Sequence, residues 1–144
     1  MPITSAYGFV NTSNMVDGQQ IQGLWDGDDA IVVAPLADKG TMLIGADGSA
    51  LFSVSANKGA TITLRLMHTS PTHRLLTQKL KRQQALASPN AAFPVTVYDT
   101  SSGEGGTADK CFIQTAPNDQ KGTNAVVREW VLVTGEWTPE VPNG

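Results

Sequence analysis

Cysteine and long apolar runs are scarce in this chain of 144 residues. Its one cysteine, Cys111, cannot form an internal disulfide or a cysteine-based zinc site, and beside Phe112 and Ile113 it is expected in the core. No apolar run approaches the roughly 20 residues of a membrane span, so no membrane insertion is expected. The Met1–Val10 segment lacks the basic start and apolar stretch of a secretory signal. We therefore expect the protein in the cytoplasm in which it is made.

Acidic side chains are missing from the middle of the chain. Residues 48–98 contain no Asp or Glu and carry a net charge of +6, whereas residues 1–47 carry −5 and residues 99–144 carry −4. A nucleic acid would suit the basic block, but the acidic flanks favour a second copy of the chain, docked with basic surface against acidic surface. Alternatively, the blocks interleave in the fold and cancel locally.

The central region reads as strands joined by tight turns. Turn sequences rich in Gly, Asn and Asp stand at 38–40, 45–48 and 57–59 and predict hairpins. Around the turn at 57–59, two strands alternate, which predicts one hairpin over Leu51–Met67. Its apolar face would hold Phe52, Val54, Ala56, Ile62, Leu64 and Leu66, and its polar face Ser53, Ser55, Thr61, Thr63 and Arg65.

At Ser70 the apolar period changes from that of a strand to that of a helix. Ser70 is a good N-cap and Pro71 suits the first helical position, so a helix is predicted from Pro71 to Ala87. Its leucines share one side, and Arg74, Lys81 and Arg82 form a basic outer face. The pattern predicts a helix packed on a sheet.

Further strands are predicted over Phe93–Thr100, Ala108–Thr115 and Ala125–Thr134, the last apolar on both faces. The Pro-rich tail Pro139–Gly144 is expected to be loose. Together these elements predict one domain over residues 1–144. Its fold is expected to be mainly β, a β-sandwich or partly closed barrel with one packed α-helix.

No arrangement of residues predicts catalysis, a metal or a cofactor. Gly45–Gly48 lacks the Lys-Ser/Thr of a phosphate-binding loop and joins two strands, so it is interpreted as a turn. Asp26–Asp29 begins like a calcium loop, but position 37 is not Glu, which leaves an exposed acidic turn. His68 and His73 do not share a helical face, so His68 is interpreted as a strand-end residue and His73 as surface. We expect no enzyme.

Two stretches carry a family resemblance. Asp38–Ser49 reads DKGTMLIGADGS, and Ala56–Pro71 reads ANKGATITLRLMHTSP. Together they resemble tail tube proteins of contractile-tailed phages and prophages, through the ADGS turn, the KG hairpin, the alternating strand that ends in TSP, and the helix that follows. The resemblance is most specific over residues 38–86, and the order of elements agrees as far as Thr134.

The resemblance implies a tail-tube fold, shared with secreted type VI tubes, in which sheets from six subunits join into a barrel and the rings stack. It implies a structural virion protein of the tail, assembled in the host cytoplasm. Genomic DNA would pass through the lumen without sequence-specific binding. The tail sheath, tape measure and baseplate proteins are the implied partners. The lumen-lining candidates are Ser53, Ser55, Thr61 and Thr63, with Arg65 as a further one.

The charge blocks then predict contacts between subunits. Arg74, Lys81 and Arg82 on the helix would meet an acidic cluster of a neighbouring copy, of which Asp26, Asp28 and Asp29 form the densest. Four alternatives remain open: a type VI-like tube protein, a tail terminator, a hydrolase with an unfamiliar site, and a stand-alone small-ligand β-barrel, which would need an enclosed apolar pocket.

Overall fold

The alternating sequence forms ten strands and one α-helix in the computed structural model, which describes residues 2–142. The helix, α1, spans Thr72–Leu86, and single 3₁₀ turns lie at Phe9–Asn11 and Pro89–Ala91. The strands are β1 (Thr12–Val16), β2 (Gln19–Gln20), β3 (Ile31–Pro35), β4 (Gly40–Ile44), β5 (Ala50–Val54), β6 (Ala60–Met67), β7 (Phe93–Asp99), β8 (Gly105–Thr115), β9 (Val127–Thr134) and β10 (Thr138–Glu140).

Most strands join one antiparallel sheet. Its order is β2-β1-β7-β8-β9-β6-β3, and β10 pairs with the beginning of β8. Residues near both ends of this order, Asn14 on β1 and Ile31 and Val33 on β3, line one cleft, so the sheet curls round on itself. It is a partly closed barrel, since β3 pairs with β6 alone. The expected mainly β fold with one helix is confirmed.

The core lies inside the curl of this sheet. Along β6, residues alternate between buried and half-buried, and Ile62, Leu64 and Leu66 are fully buried. Alternate side chains of a strand point to opposite faces, so the other residues of β6 lie on the outer face. The core side chains are Val16, Ile21, Ile62, Leu64, Leu66, Leu76, Phe93, Val95, Ala108, Cys111, Ile113, Trp130 and Leu132.

Helix α1 packs on the sheet through Leu76, which is fully buried. The predicted helix, 71–87, extends one residue too far at each end. The N-cap is Pro71 and not Ser70 as predicted, but the Ser70 hydroxyl still accepts a hydrogen bond from the Thr72 backbone N–H at 3.2 Å. Near the other end, the Gln83 side chain accepts from the Ile113 N–H at 2.8 Å and donates to the Ile113 carbonyl at 2.9 Å.

The predicted hairpin over Leu51–Met67 is wrong. β5 pairs with β4 in a separate two-stranded sheet, whereas β6 pairs with β3 and β9. The segment at 57–59 passes from one sheet to the other, and the Lys58 carbonyl accepts a hydrogen bond from the Trp137 N–H at 2.9 Å. Alternation shows that a strand has two faces, but it does not show which strand lies beside it.

Three smaller predictions also differ from the structure. The segment at 38–40 connects β3 and β4, which lie in different sheets, so it is not a hairpin turn. β8 begins at Gly105, three residues before the predicted strand Ala108–Thr115. Thr138–Glu140 forms an edge strand on β8, although the tail was expected to be loose from Pro139; Pro is compatible with an edge strand. Residues 143–144 lie outside the described part of the chain.

Candidate assembly surfaces

The β4–β5 hairpin exposes apolar side chains on a sheet of two strands. Directly paired residues share a face, and the pairs Met42↔Phe52, Gly40↔Val54 and Ile44↔Ala50 place four apolar side chains on one side. Met42 is 58% exposed, Ile44 60%, Phe52 51% and Val54 80%. Phe52 and Val54 therefore do not share one apolar face with the buried residues of β6, which is what the sequence predicted. We call this side of the hairpin the apolar hairpin face.

The opposite side of the hairpin is mixed. Thr41 pairs with Ser53 and Leu43 pairs with Leu51, so hydroxyl groups lie toward the base and leucines toward the tip. The tip is a tight turn in which Gly48 has a φ of 90°, a conformation that suits glycine. Asp47 accepts a hydrogen bond from the Ser49 N–H at 3.0 Å, and this bond lowers the pKa of the carboxyl. The predicted turn at 45–48 is confirmed.

Gly40 permits the close approach of the two hairpin strands. A Cβ added at Gly40 would lie 2.6 Å from the Ser53 carbonyl oxygen and would also meet the Phe52 ring. Apart from each other, β4 and β5 have no extensive contacts with another helix or strand of the described chain. The chain thus forms an ordered apolar hairpin that its own core does not cover.

The outer face of β6 carries Thr61 and Thr63, both half-buried. Their neighbours on the adjoining strands are aliphatic, because Thr61 pairs with Ala34 and Val133, and Thr63 with Val32 and Val131. The Thr61 hydroxyl is 3.5 Å from the Ala34 carbonyl. The sheet therefore presents a stripe of alternating threonine and aliphatic residues, and not the purely hydroxyl face that the sequence predicted.

Ser53 and Ser55 do not lie on this stripe. Ser53 belongs to the mixed side of the β4–β5 hairpin, and the Ser55 hydroxyl, just beyond β5, accepts a hydrogen bond from the Asn57 N–H at 3.1 Å. The four lumen-lining candidates thus fall into two pairs on two sheets. The alternation placed each residue on the polar side of its strand. The prediction that these two strands pair in one hairpin was wrong, so the residues lie apart.

Arg65 is the cation of the outer sheet face on β6. Its guanidinium forms ion pairs with Asp29 at 3.4 Å and with Glu129 on β9 at 3.0 Å. Two carboxylates around one guanidinium give a local excess of negative charge. Because Asp29 is engaged here within its own chain, it is a weaker candidate for a contact between subunits than Asp26 or Asp28.

The basic helix face is exposed as predicted. Arg74, Lys81 and Arg82 are all exposed, and an Arg82 N–H donates to the Asn90 carbonyl at 3.3 Å. The remaining helix cation, Lys79, is half-buried, pairs with Asp17 at 2.6 Å and lies over the Phe93 ring.

The acidic turn is exposed too, and Asp26 and Asp28 line a cleft beside Tyr7. The structure does not bring the basic helix face and the acidic turn together by any ion pair among residues 2–142.

The open seam of the barrel forms a cleft of about 560 Å³. Tyr7 and Phe9 of the N-terminal segment, Ile31 and Val33 of β3, and Trp137 contribute to its lining. The cleft lies between the two ends of the strand order, so it marks where the sheet fails to close.

The groups that can react chemically are scattered or inert. In residues 2–142, no group of three or more His, Cys, Asp or Glu side chains is placed to hold a metal ion. Cys111 is fully buried, as expected, and burial raises the pKa of its thiol to about 11. His73 is not a simple surface residue, since its ring accepts a hydrogen bond from the Trp130 indole at 3.0 Å. No helix of the described chain is long and apolar enough to cross a membrane.

Solved structures from contractile injection systems share this fold. The anti-feeding prophage cap, which is the AFP tube terminating cap, matches with a TM-score of 0.65 at 11% identity, over 96% of this chain and 93% of that chain. The PVC sheath/tube terminator of an extracellular contractile injection system matches with a TM-score of 0.67 at 11% identity, over 97% and 100% of the two chains. A chain of the PVC sheath-tube complex matches with a TM-score of 0.60 at 12% identity, over 93% and 90%.

The comparison with protein families assigns the chain to a narrower class of protein than the shared fold does. The model of the family described as "Bacteriophage PhiTE tail tube protein" matches residues 4–139, and the chain belongs to this family of phage tail tube proteins. No curated protein sequence matches it. The chain is therefore a structural component of the tail of a phage or phage-like particle, as the resemblance implied.

Proposed function

We propose that the chain assembles with copies of itself into hexameric rings that stack into the tail tube. The observation that carries this proposal is the apolar hairpin face, formed by Met42, Ile44, Phe52 and Val54. An apolar ribbon of two strands that is more than half exposed is only marginally stable in water and marks a protein interaction site. A neighbouring subunit that covers this face would explain why its side chains are apolar and why the two strands form a paired hairpin.

The lumen is formed by short hydroxyl side chains from two sheets. Thr61 and Thr63 supply it from the outer face of β6, and Ser53 and Ser55 supply it from the hairpin and its base. These side chains are uncharged, and Arg65 beside them is engaged by two carboxylates. Free Lys or Arg side chains would hold DNA phosphates, so such a surface lets genomic DNA pass to the host without sequence-specific binding.

Contacts between subunits also use the separated charges. The basic helix face (Arg74, Lys81 and Arg82) meets the acidic turn (Asp26, Asp28 and Asp29) of a neighbouring copy, with Asp26 and Asp28 contributing more because Asp29 is already paired. In a head-to-tail assembly the two sides of a contact are different surfaces, so one chain can carry both charges.

The tube requires further partners and no chemistry of its own. The tail sheath surrounds it, the tape measure protein occupies it during assembly in the host cytoplasm, and the baseplate starts it. The chain acts as one tail-tube domain over residues 1–144. It is not an enzyme and needs no cofactor or metal.

A second candidate function is that of a tube terminator, because two of the solved structures that share the fold are a tube terminating cap and a sheath/tube terminator. The two roles differ in whether the rings continue to stack. A tube protein polymerises into tubes of varied length, whereas a terminator closes as one ring at the end of a tube.

Size-exclusion chromatography followed by negative-stain microscopy of the purified full chain tests these roles. Tubes of varied length support the tube subunit, and uniform single rings support the terminator. A protein that stays monomeric at every concentration contradicts both and favours the stand-alone small-ligand barrel.

A further inference from the structure

The ring of His73 connects three elements of the fold. His73 lies in the first turn of α1, and its Nε2 is 2.8 Å from the carbonyl oxygen of Met67 at the end of β6. Its Nδ1 is 3.0 Å from the indole Nε1 of Trp130, a core residue of β9. Both ring nitrogens therefore have partners, although His73 is half-buried and near the surface.

The chemistry of these partners determines the protonation state of the ring. A carbonyl oxygen only accepts hydrogen bonds, so Nε2 must carry a proton and donate it to Met67. An indole N–H only donates, so Nδ1 must be unprotonated to accept from Trp130. The arrangement thus requires the neutral tautomer with hydrogen on Nε2. A second proton, on Nδ1, would face the indole N–H and would break that bond.

The surroundings of His73 also disfavour a positive charge on its ring. Burial lowers the pKa of His73; the hydrogen bond to the Met67 carbonyl opposes this, and the positive charges of Arg128 and His68 add to the lowering. Within residues 2–142, no carboxylate lies within ion-pair distance of the ring. Arg128 is paired with Asp119 at 3.1 Å, and Glu129 is paired with Arg65. The charged and titratable side chains of the elements around the ring are Arg74, Lys81, His68, Arg128, Glu129 and Asp119.

The start of α1 is also where the N-terminal part of the chain is attached. The Thr72 hydroxyl accepts a hydrogen bond from the Gln22 N–H at 2.9 Å, and the Ser70 hydroxyl donates to the Gln22 carbonyl. Gly23 lies so close to Ser70 that a Cβ there would be 2.8 Å from the Cβ of Ser70. The first turn of the helix is therefore bonded to the segment that leads to the acidic turn.

We propose that His73 is a proton-operated latch, in which the neutral ring fastens the first turn of α1 to β6 and β9 and protonation at Nδ1 releases it from Trp130. Gly23 and Trp25 stay bonded to β6, because the Gly23 carbonyl accepts from the Met67 N–H at 2.8 Å and the Trp25 N–H donates to the Arg65 carbonyl at 2.9 Å, so the released unit is the first turn of α1. The latch is closed while the His73 ring is neutral and opens when the ring takes up a second proton.

The sign of the effect follows from proton linkage. The pKa of His73 is lower in the folded chain than its ordinary value of 6.5, so the unfolded chain binds more protons in mild acid. The stabilisation is fully present above the unfolded pKa and decreases as the pH falls below it.

Nitrogen-15 NMR of the full chain tests the latch, in solution for the monomer or in the solid state for assembled particles. At about pH 7.5 the His73 ring should be the neutral tautomer with hydrogen on Nε2. As the pH falls below the ordinary histidine value of 6.5 and the His73 ring becomes protonated, the Trp130 indole N–H signal should shift and lose its protection from hydrogen exchange. A His73→Gln variant, whose amide stays neutral, should lose this pH response.

A His68→Gln variant is the matched control, and it should keep the response because His73 is unchanged. The tautomer is read from the parent protein, so the test does not depend on the folding of a variant. A neutral ring with hydrogen on Nδ1 at about pH 7.5, or an indole N–H that stays protected once the His73 ring signals show protonation, overturns the proposal.

Discussion

Met42 and Phe52 lie directly opposite each other across the β4–β5 hairpin, and more than half of each side chain is exposed. Cross-strand apolar pairs stabilise a sheet when a further layer covers them. Because no other strand or helix of the described chain packs extensively on this hairpin, we infer that the pair is covered in the assembled tube. This relationship gives the most specific test of the assembly surface.

A Met42→Thr, Phe52→Thr double variant should fold but assemble poorly. Burying one such side chain contributes about 1.5–3 kcal/mol, and every 1.4 kcal/mol is about a factor of ten in affinity. The protein concentration needed for assembly should therefore rise at least tenfold, as measured by sedimentation, whereas the melting temperature should change little. The control is Leu43→Thr, Leu51→Thr, the same change on the mixed side of the hairpin, which should assemble more like the parent. Equal assembly by both double variants would refute the assignment of the apolar hairpin face.

A Lys81→Glu, Arg82→Glu double variant should fold, as judged by circular dichroism, but should not form tubes at low salt. Single exposed ion pairs contribute only about 0.2–1 kcal/mol, but the reversed charges recur at every contact of the tube. High salt should reduce the difference from the parent, because it screens both attraction and repulsion. The control is a Lys110→Glu, Lys121→Glu variant, which changes the net charge by the same amount at positions outside the helix. Assembly of the helix variant at low salt as efficient as that of the parent would refute the charge contact.

Cysteines introduced at Ser53 or Thr63 should react with bulky thiol reagents in the unassembled chain and be shielded in tubes. The native Cys111 should not interfere, because burial raises the pKa of its thiol to about 11 and the thiolate is the reactive form. The parent protein should therefore stay unlabelled until it unfolds. Labelling at equal rates in both states would place Ser53 and Thr63 outside the lumen.

Gln83→Ala should destabilise the fold by about 1–3 kcal/mol, since the Gln83 amide satisfies both the N–H and the C=O of Ile113 on β8. The neighbouring Gln84 is exposed, so Gln84→Ala should change the free energy of unfolding by less than about 0.5 kcal/mol. Urea denaturation of both variants measures the difference. Equal stability of the two variants would show that the Gln83 bridge does not secure α1 to β8.

Local features of the sequence predicted local features of the structure well. The hydrogen bond of Ser70 at the helix start, the helix bounds to within one residue, the buried Cys111 and the core face of β6 all follow from periodicity and residue chemistry. Each of these depends on a few consecutive residues. The family resemblance, which extends over residues 38–86, also named the correct class of protein.

Strand partners and bonds between distant residues could not be predicted in this way. The sequence placed Phe52 and Val54 on the same apolar face as the buried residues of β6, because an apolar side chain looks the same whether its own chain or a neighbour covers it. The separation of Ser53 from Thr63 depends on β3 and β9 flanking β6. The contact of His73 with Trp130 joins positions 57 residues apart, and no local pattern indicates it.

The most direct measurement of the central claim is a cryo-EM map of particles assembled from the full chain alone. The account predicts a hollow tube of stacked rings with six copies each, in which Met42 and Phe52 are buried on a neighbouring subunit and Thr63 faces the lumen. A closed ring or tube in which the apolar hairpin face remains exposed to solvent, or a chain that never assembles, would contradict it.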